Sequence, residues 1–334
     1  MNQWYDRIKQ FLPSARIGKI QQNTIDIENK DIVLAMVQSI SMKEYDPETF
    51  DDFGLSVFDE CHHLGAEIFS KSLLNVNSNY MLGLSATPKR KDGLSKVFEW
   101  FIGPMVYCKK ENKEENVLVE LYDYYVEDPK YSKEVYNVAN NICIPIMINN
   151  ICAFIPRINL IIDLLKENVK EKRNILILSD RREHLKTIFN IVNEKNIGSI
   201  GYYVGGMKPA DLRESQKKQI ILGTFSMASE GMDIPKLNTV ILASPKSDII
   251  QSVGRILRQK KEDRKHIPKI IDICDAFSTF KKQSLKRIAY YKKCKYNIIN
   301  INMEGERTQL KIKNRKNKKE ELIDFSKTNE CMIE

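Results

Sequence analysis

A chain of 334 residues is long enough for about two domains of ordinary size, each able to bury its own core. A hydrophobic fraction of 42%, a charged fraction of 29%, 14 glycines and 11 prolines exclude a low-complexity or collagen-like chain. The formal charge of +9 favours a polyanionic partner, because Lys and Arg that neutralise phosphates release condensed counterions; general solubility is the competing reading.

The N-terminal run MNQWYDRIKQF alternates charged and apolar residues like an amphipathic helix and lacks the apolar core of a secretory signal. Short apolar runs follow: ARIGKI, DIVLAMV, LSVF and YMLGLS in the first third, then NILILS, GSIGYYV, QIILGT, TVILAS and KIIDIC. Alternating with helical patterns, they predict an α/β chain of parallel sheets covered by helices. Between the two groups lies the charged run KKENKEE (109–115), and 117–172 shows weak periodicity until a helical pattern at Ile158 to Glu167. The expected division is therefore 1–108, a linker at 109–172, a second domain at 173–280 and a basic tail at 281–334. The tail ends in KIKNRKNKKEE, a composition that favours a helical or solvated, disordered segment.

The most apolar stretch, Ile142 to Ile155, is interrupted by Pro145, Asn149 and Asn150 and is shorter than the roughly 20 residues that span a bilayer, so no membrane partner is expected. The seven cysteines form no C-x-x-C pair, and their odd number suits neither a disulfide framework nor a zinc site. Trp4 and Trp100 are expected as core anchors, and His184 and His266 as surface or helix-packing residues.

Four segments carry candidate chemistry. Asp59 and Glu60 stand just beyond the strand LSVF, where ligands of open α/β sheets bind. Asp59 could hold Mg²⁺ through its hydration shell and Glu60 could polarise an attacking water, although such a pair is also a common helix cap or surface pair. The strand YMLGLS runs into Ser85 and Thr87, hydroxyls able to link His62 to a distant surface or simply to close a turn. GTFSMASEGMDIP after QIILGT offers small residues and two carboxylates, Glu230 and Asp233, in a ligand-contact loop. In QSVGRILR, helical spacing places Gln251, Arg255 and Arg258 on one face, where guanidinium groups match phosphate oxygens; Gly254 between them predicts a close approach.

In this order DECH (Asp59 to His62), SAT (Ser85 to Thr87), GTFSMASEGMD (Gly223 to Asp233) and QSVGRILR resemble motifs II, III, V and VI of superfamily 2 helicases. The runs VFDECHHLGAEIFSKSLL, YMLGLSATPKRKDGLSKVFEWFIGP, ILILSDRREHL and QSVGRILRQ are most similar to helicases of nucleocytoplasmic large DNA viruses, including the poxvirus transcript-release type. The xeroderma pigmentosum B type is a more distant likeness. The resemblance runs from Asn2 to Phe280.

It implies two RecA-like parallel-sheet domains, the first incomplete, with ATP and Mg²⁺ in a cleft between them and single-stranded or duplex DNA or RNA across both. By motif match, Asp59 would be the magnesium carboxylate, Glu60 the general base, His62 with Ser85 and Thr87 the coupling link, and Arg255 and Arg258 the arginine fingers. Gln251 would contact the γ-phosphate or its water, and Gly231 and Asp233 would face the nucleotide. Thr224, Ser226, Gln38, Ser39, Arg181, Gly205 and Gly206 would lie along the nucleic acid. A viral motor of this kind works inside the cell or virion, consistent with the reducing setting that the cysteines imply.

The family also carries G-x-x-x-x-G-K-[ST], whose amides and lysine hold phosphates, and the 334 residues do not contain it. Gly18-Lys19 is preceded by Pro13 where the first glycine should stand and is followed by Ile20. Three readings follow: part of a helicase or translocase interrupted or split upstream, one half of a motor completed by a separate polypeptide, or a nucleic-acid-binding module without ATPase activity.

Overall fold

The computed structural model describes residues 1–65, 67–76, 78–85, 93–108, 116–230, 232–259 and 261–310. The chain forms two compact units, 1–111 and 112–334.

In the first unit α1 (Asn2–Phe11) leads into β1 (Ile17–Gln21), β2 (Thr24–Asp26), β3 (Ile32–Ala35) and α2 (Val37–Met42). β1 pairs antiparallel with β2 and parallel with β3. Next come β4 (Leu55–Phe58), α3 (Glu67–Asn75), β5 (Tyr80–Gly83) and α4 (Ser95–Ile102). β4 and β5 form a separate parallel pair, so the unit's parallel strands lie in two sheets rather than one. Two small apolar clusters hold it, one around Ile20, Ile40, Phe50 and Val76 and one around Cys61, Leu64, Leu73 and Phe98. The side chains of Leu55, Val57, Tyr80 and Leu82, which alternate on one face of β4–β5, are 56, 47, 72 and 42% exposed. Parallel strands are ordinarily buried on both faces, so this pair is an uncovered part of a sheet.

The second unit contains β6 (Leu118–Tyr124), α5 (Ile144–Ala153), α6 (Ile155–Lys170), β7 (Ile175–Leu178), α7 (Arg182–Glu194), β8 (Ile200–Tyr203), α8 (Pro209–Lys217), β9 (Ile220–Gly223) and α9 (Phe225–Glu230). It continues with β10 (Thr239–Leu242), α10 (Ile250–Gly254), β11 (Lys269–Asp275), α11 (Ser278–Lys293), β12 (Asn297–Ile301) and β13 (Arg307–Gln309). The eight strands run in the order β13-β12-β6-β11-β10-β7-β9-β8, parallel throughout except for the β12–β13 pair. β7, β9, β10 and β11 are buried along their whole length, which is why ILIL, IILG and TVIL read as continuous apolar runs.

Two expected boundaries are corrected. Residues 117–172 are no linker: β6 lies between β12 and β11, and α5 and α6 bury Met147, Ile151, Ile158, Ile161 and Leu165 against the sheet. Pro145 and Pro156 start these helices rather than interrupting an apolar segment, because a first-turn position has no amide bond to lose. α5 and α6 together pass for a membrane span by length and composition but bend by 61°, and no single described helix is long and apolar enough to cross a membrane. Residues 281–310 are not a solvated tail, since Phe280, Ser284, Arg287 and Tyr291 form a buried face of α11. The segments 109–115 and 311–334 lie outside the described residues.

Candidate functional site

In the first unit the β4–β5 ladder runs past both strands: Leu84 N–H donates to Phe58 O at 2.8 Å and Cys61 N–H to Leu84 O at 2.9 Å. This sets the Asp59–His63 turn beside Ser85. Gly83 permits the approach, since a Cβ there would meet Cys61 Sγ at 3.0 Å. Glu60 turns the chain with φ of 49°, in the left-handed region where a side-chain-bearing residue is strained by roughly 1–3 kcal/mol. His62 Nδ1 then lies 2.8 Å from Ser85 Oγ and 3.4 Å from Glu60 Oε2. Two of the three residues expected as the coupling link, His62 and Ser85, are thus hydrogen-bonded, with the Glu60 carboxylate beside the same ring nitrogen. Thr87 lies outside the described residues.

Asp59 is held on both oxygens: Oδ1 accepts the Glu60 amide at 3.0 Å and Oδ2 the indole N–H of Trp4 at 2.9 Å. Trp4 is therefore not the core anchor expected of it, and α1 buries none of its residues. Trp100, 78% exposed, is not one either. Each carboxylate oxygen has two lone pairs, so Asp59 keeps acceptor capacity for a water shell around Mg²⁺. No described cluster of three or more His, Cys, Asp or Glu could cage a metal, and a magnesium held by one carboxylate, waters and phosphates does not need one. Burial, then the Glu60 charge, raises the Cys61 thiol, which packs as an apolar residue. Gln38 points outward from α2, while Ser39 Oγ accepts the Gln22 amide at 2.9 Å and braces the β1–β2 turn.

In the second unit the candidate residues gather at the C-terminal ends of the parallel strands. Asp180 pairs with Lys246 at 3.0 Å, and Lys246 lies 5.4 Å from the Phe225 ring centre. Thr224 Oγ1 lies 3.2 Å from Ser226 Oγ at the start of α9. Gly206 has φ of +87°, which glycine adopts without strain, and Gly205 O accepts Arg182 Nη2 at 2.7 Å. Arg181 turns away from this edge onto α5, donating to Pro145 O at 3.1 Å and to Asn149.

The segment 251–258 is not one α-helix; α10 stops at Gly254 and a 3₁₀ turn covers Arg255–Leu257. Residues three apart eclipse in that geometry, so Arg255 and Arg258 still share a side, with half-buried Gln251 a turn behind. Both arginines fold onto the residues that follow β9: Arg255 donates to Met232 O at 2.9 Å and to Ala228 O of α9, and Arg258 pairs with Asp233. A Cβ at Gly254 would meet no described atom within 4 Å, so the expected close approach is not what requires glycine there. Gly231 lies outside the described residues.

Sequence reasoning missed the supports of this edge. Asp275 and Asp272, three residues apart on β11 and so on opposite faces, each hold a buried arginine bidentately. Arg157 on Asp275 also donates to Ala243 O, and Arg287 on Asp272 donates to Lys246 O, both at 2.6 Å. Tyr131 and Tyr291 complete the two carboxylate shells at 2.8 and 2.9 Å. The 243–246 loop that presents Lys246 is pinned from both sides of the sheet. Two aspartates inside the apolar run KIIDICD were the available signal.

The fold defines the class first: an α/β chain of two units with parallel sheets, the fold of RecA-like domains. The sequence matches the family described as "Type III restriction enzyme, res subunit" over 1–90 and the "Helicase conserved C-terminal domain" over 156–260. It is 40% identical over 305 residues to L396 of Acanthamoeba polyphaga mimivirus, named as a candidate ATP-dependent RNA helicase, covering 89% of this chain and 58% of that protein. It is 25% identical over 323 residues to QP509L of African swine fever virus, named likewise, covering 89% and 62%. The Saccharomyces cerevisiae Dbp5 structure bound to RNA and ADP BeF3 shares the fold, with TM-score 0.57, 12% identity and coverage of 90% of this chain and 74% of that one. The chain is similar to these candidate helicases of large DNA viruses and spans about three fifths of the length of the two viral relatives it matches.

Proposed function

We propose that the chain forms part of an ATP-dependent nucleic-acid helicase or translocase, in which ATP hydrolysis is coupled to movement along DNA or RNA. The observation that carries this reading is the 2.8 Å hydrogen bond between His62 and Ser85 with the Glu60 carboxylate 3.4 Å from the same ring nitrogen, which sets that carboxylate beside the next strand end. Mg²⁺ and ATP supply the reacting phosphates when bound. With them bound, Asp59 would hold the ion, Glu60 would accept the proton of the attacking water, and Arg255 and Arg258 would offset charge on the transferring phosphoryl, an effect often worth about 10³ to 10⁵ in rate. For that, Arg258 must leave Asp233. Gly231, Asp233 and Gln251 serve the nucleotide, Thr87 acts with Ser85, and Thr224, Ser226, Gln38, Ser39, Arg181, Gly205 and Gly206 serve the strand. A phosphate-binding loop has to come from polypeptide beyond these residues, in the same product or a separate one.

The purified chain alone is expected to show no nucleic-acid-stimulated ATP hydrolysis, with Glu60→Gln changing nothing. Joined to the part of the mimivirus relative outside the matched region, it should hydrolyse ATP on adding RNA or DNA, and Glu60→Gln should abolish this. Turnover by the chain alone, or by the joined protein regardless of Glu60→Gln, counts against the reading. A second reading, a binding module without ATPase activity, is favoured by the indole of Trp4 on Asp59 and would show as salt-dependent, ATP-independent strand binding.

A further inference from the structure

A notch of about 210 Å³ opens between the first two turns of α7 and the end of β8, lined by Arg182, Glu183, Leu185, Lys186, Tyr202 and Val204. β8 is the edge strand of the eight-stranded sheet, so the notch is reached from the side of the domain. Its floor is apolar: Leu185 is buried in the core, Val204 is half-buried, and the Tyr202 ring lies on Phe189 with centroids 4.5 Å apart and planes 20° from parallel. Its rim carries charge. Arg182 and Lys186, four residues apart on α7, are exposed on the same side of the helix, with the carboxylate of Glu183 beside them. The Arg182 guanidinium is steered by its 2.7 Å bond to Gly205 O, which fixes the notch against the Gly205–Gly206 turn.

From this the geometry points to a pocket for one unstacked nucleotide of a bound single strand, an inference that rests on the nucleic-acid-binding reading above. The base enters over Tyr202 and Val204, its phosphate meets Arg182 and Lys186, and Glu183 accepts a hydrogen bond from an exocyclic amino group. A planar heterocycle suits an apolar floor with an aromatic ring, and cations at one rim suit the phosphate that travels with it. An isolated phosphate would gain nothing from the apolar floor, and an aliphatic side chain nothing from the paired cations.

The test is fluorescence anisotropy of the full chain with a labelled single-stranded oligoribonucleotide and with the same oligonucleotide made abasic. Tyr202→Leu is expected to weaken binding of the intact strand roughly tenfold, as one lost base stack does, and to leave the abasic strand unaffected. Tyr202→Phe, which keeps the ring, should bind like the parent, and Lys186→Gln should weaken both strands alike and flatten the salt dependence. Circular dichroism melting of each variant separates loss of the pocket from loss of the fold. If the parent binds the strand and a folded Tyr202→Leu binds it equally well, the pocket is overturned while the binding reading stands. A parent that binds no strand overturns both.

Discussion

The indole N–H of Trp4 donates to Asp59 Oδ2 at 2.9 Å, joining two residues 55 positions apart in the sequence. It joins a helix that buries nothing to the carboxylate proposed to hold magnesium. Because the pair is exposed, its loss should be mild, about 1 kcal/mol, the ordinary net value of a protein hydrogen bond. In a Trp100→Phe background Trp4 is the sole tryptophan, and Asp59→Asn should shift its fluorescence emission. An unchanged spectrum would show that the indole is not on that carboxylate in solution.

The Arg157–Asp275 pair is fully buried, and removing one partner strands a charge in the core. Asp275→Asn or Arg157→Met should each cost the second unit about 3–5 kcal/mol in urea denaturation, whereas the double variant Arg157→Met/Asp275→Leu should recover part of that loss. A double variant no more stable than either single would mean that the arginine's bond to Ala243 O matters more than the charge.

His184 is buried against Ser179, and burial followed by the Arg157 charge lowers its pKa to about 3. In the unfolded chain the ring titrates near 6.5. Between these values the unfolded state binds the extra proton, so stability falls as pH drops from about 6.5 toward 3, by up to about 1.4 kcal/mol per pH unit from this group. Denaturation midpoints measured at pH 7 and pH 5 should differ, and His184→Gln should reduce that difference.

Arg258 and Asp233 form an ion pair with both side chains more than one third exposed. Such a pair is worth about 0–1 kcal/mol, so Asp233→Asn and Arg258→Ala should leave the melting temperature nearly unchanged. Any large effect of either on hydrolysis by the joined protein would then belong to the chemistry. A melting temperature that collapses in Arg258→Ala would assign the arginine a structural role instead.

All nine apolar runs read as strands are strands; those of the second unit's sheet interior are buried on both faces and leave a continuous hydrophobic signature, while LSVF and YMLG stayed legible although one face is exposed. The closeness of His62 to Ser85 was legible too, because both follow directly on neighbouring strand ends. β6 was hidden because Glu120 and Asp123 interrupt LVELYDY, and α11 because its buried face contains Ser284 and Arg287 rather than hydrocarbon. The partners of Arg157 and Arg287 lie 118 and 15 residues away, and nothing in residue type announces which carboxylate a buried guanidinium will find. The contacts of Arg255 with Ala228 and Met232 and of Arg258 with Asp233 were beyond helical spacing altogether.

The division of the first unit into two sheets has a consequence for the time scale on which its amides meet solvent deuterium. β4 and β5 bond only to each other among the described strands, so the amides on their outer edges have no sheet carbonyl to protect them. Those of β10 and β11 sit inside a sheet of eight and exchange only when the whole unit opens. Exchange followed by mass spectrometry should therefore label Leu55–Phe58 and Tyr80–Gly83 early and Thr239–Leu242 last. A polypeptide that pairs with either edge would announce itself by slowing the first without touching the second.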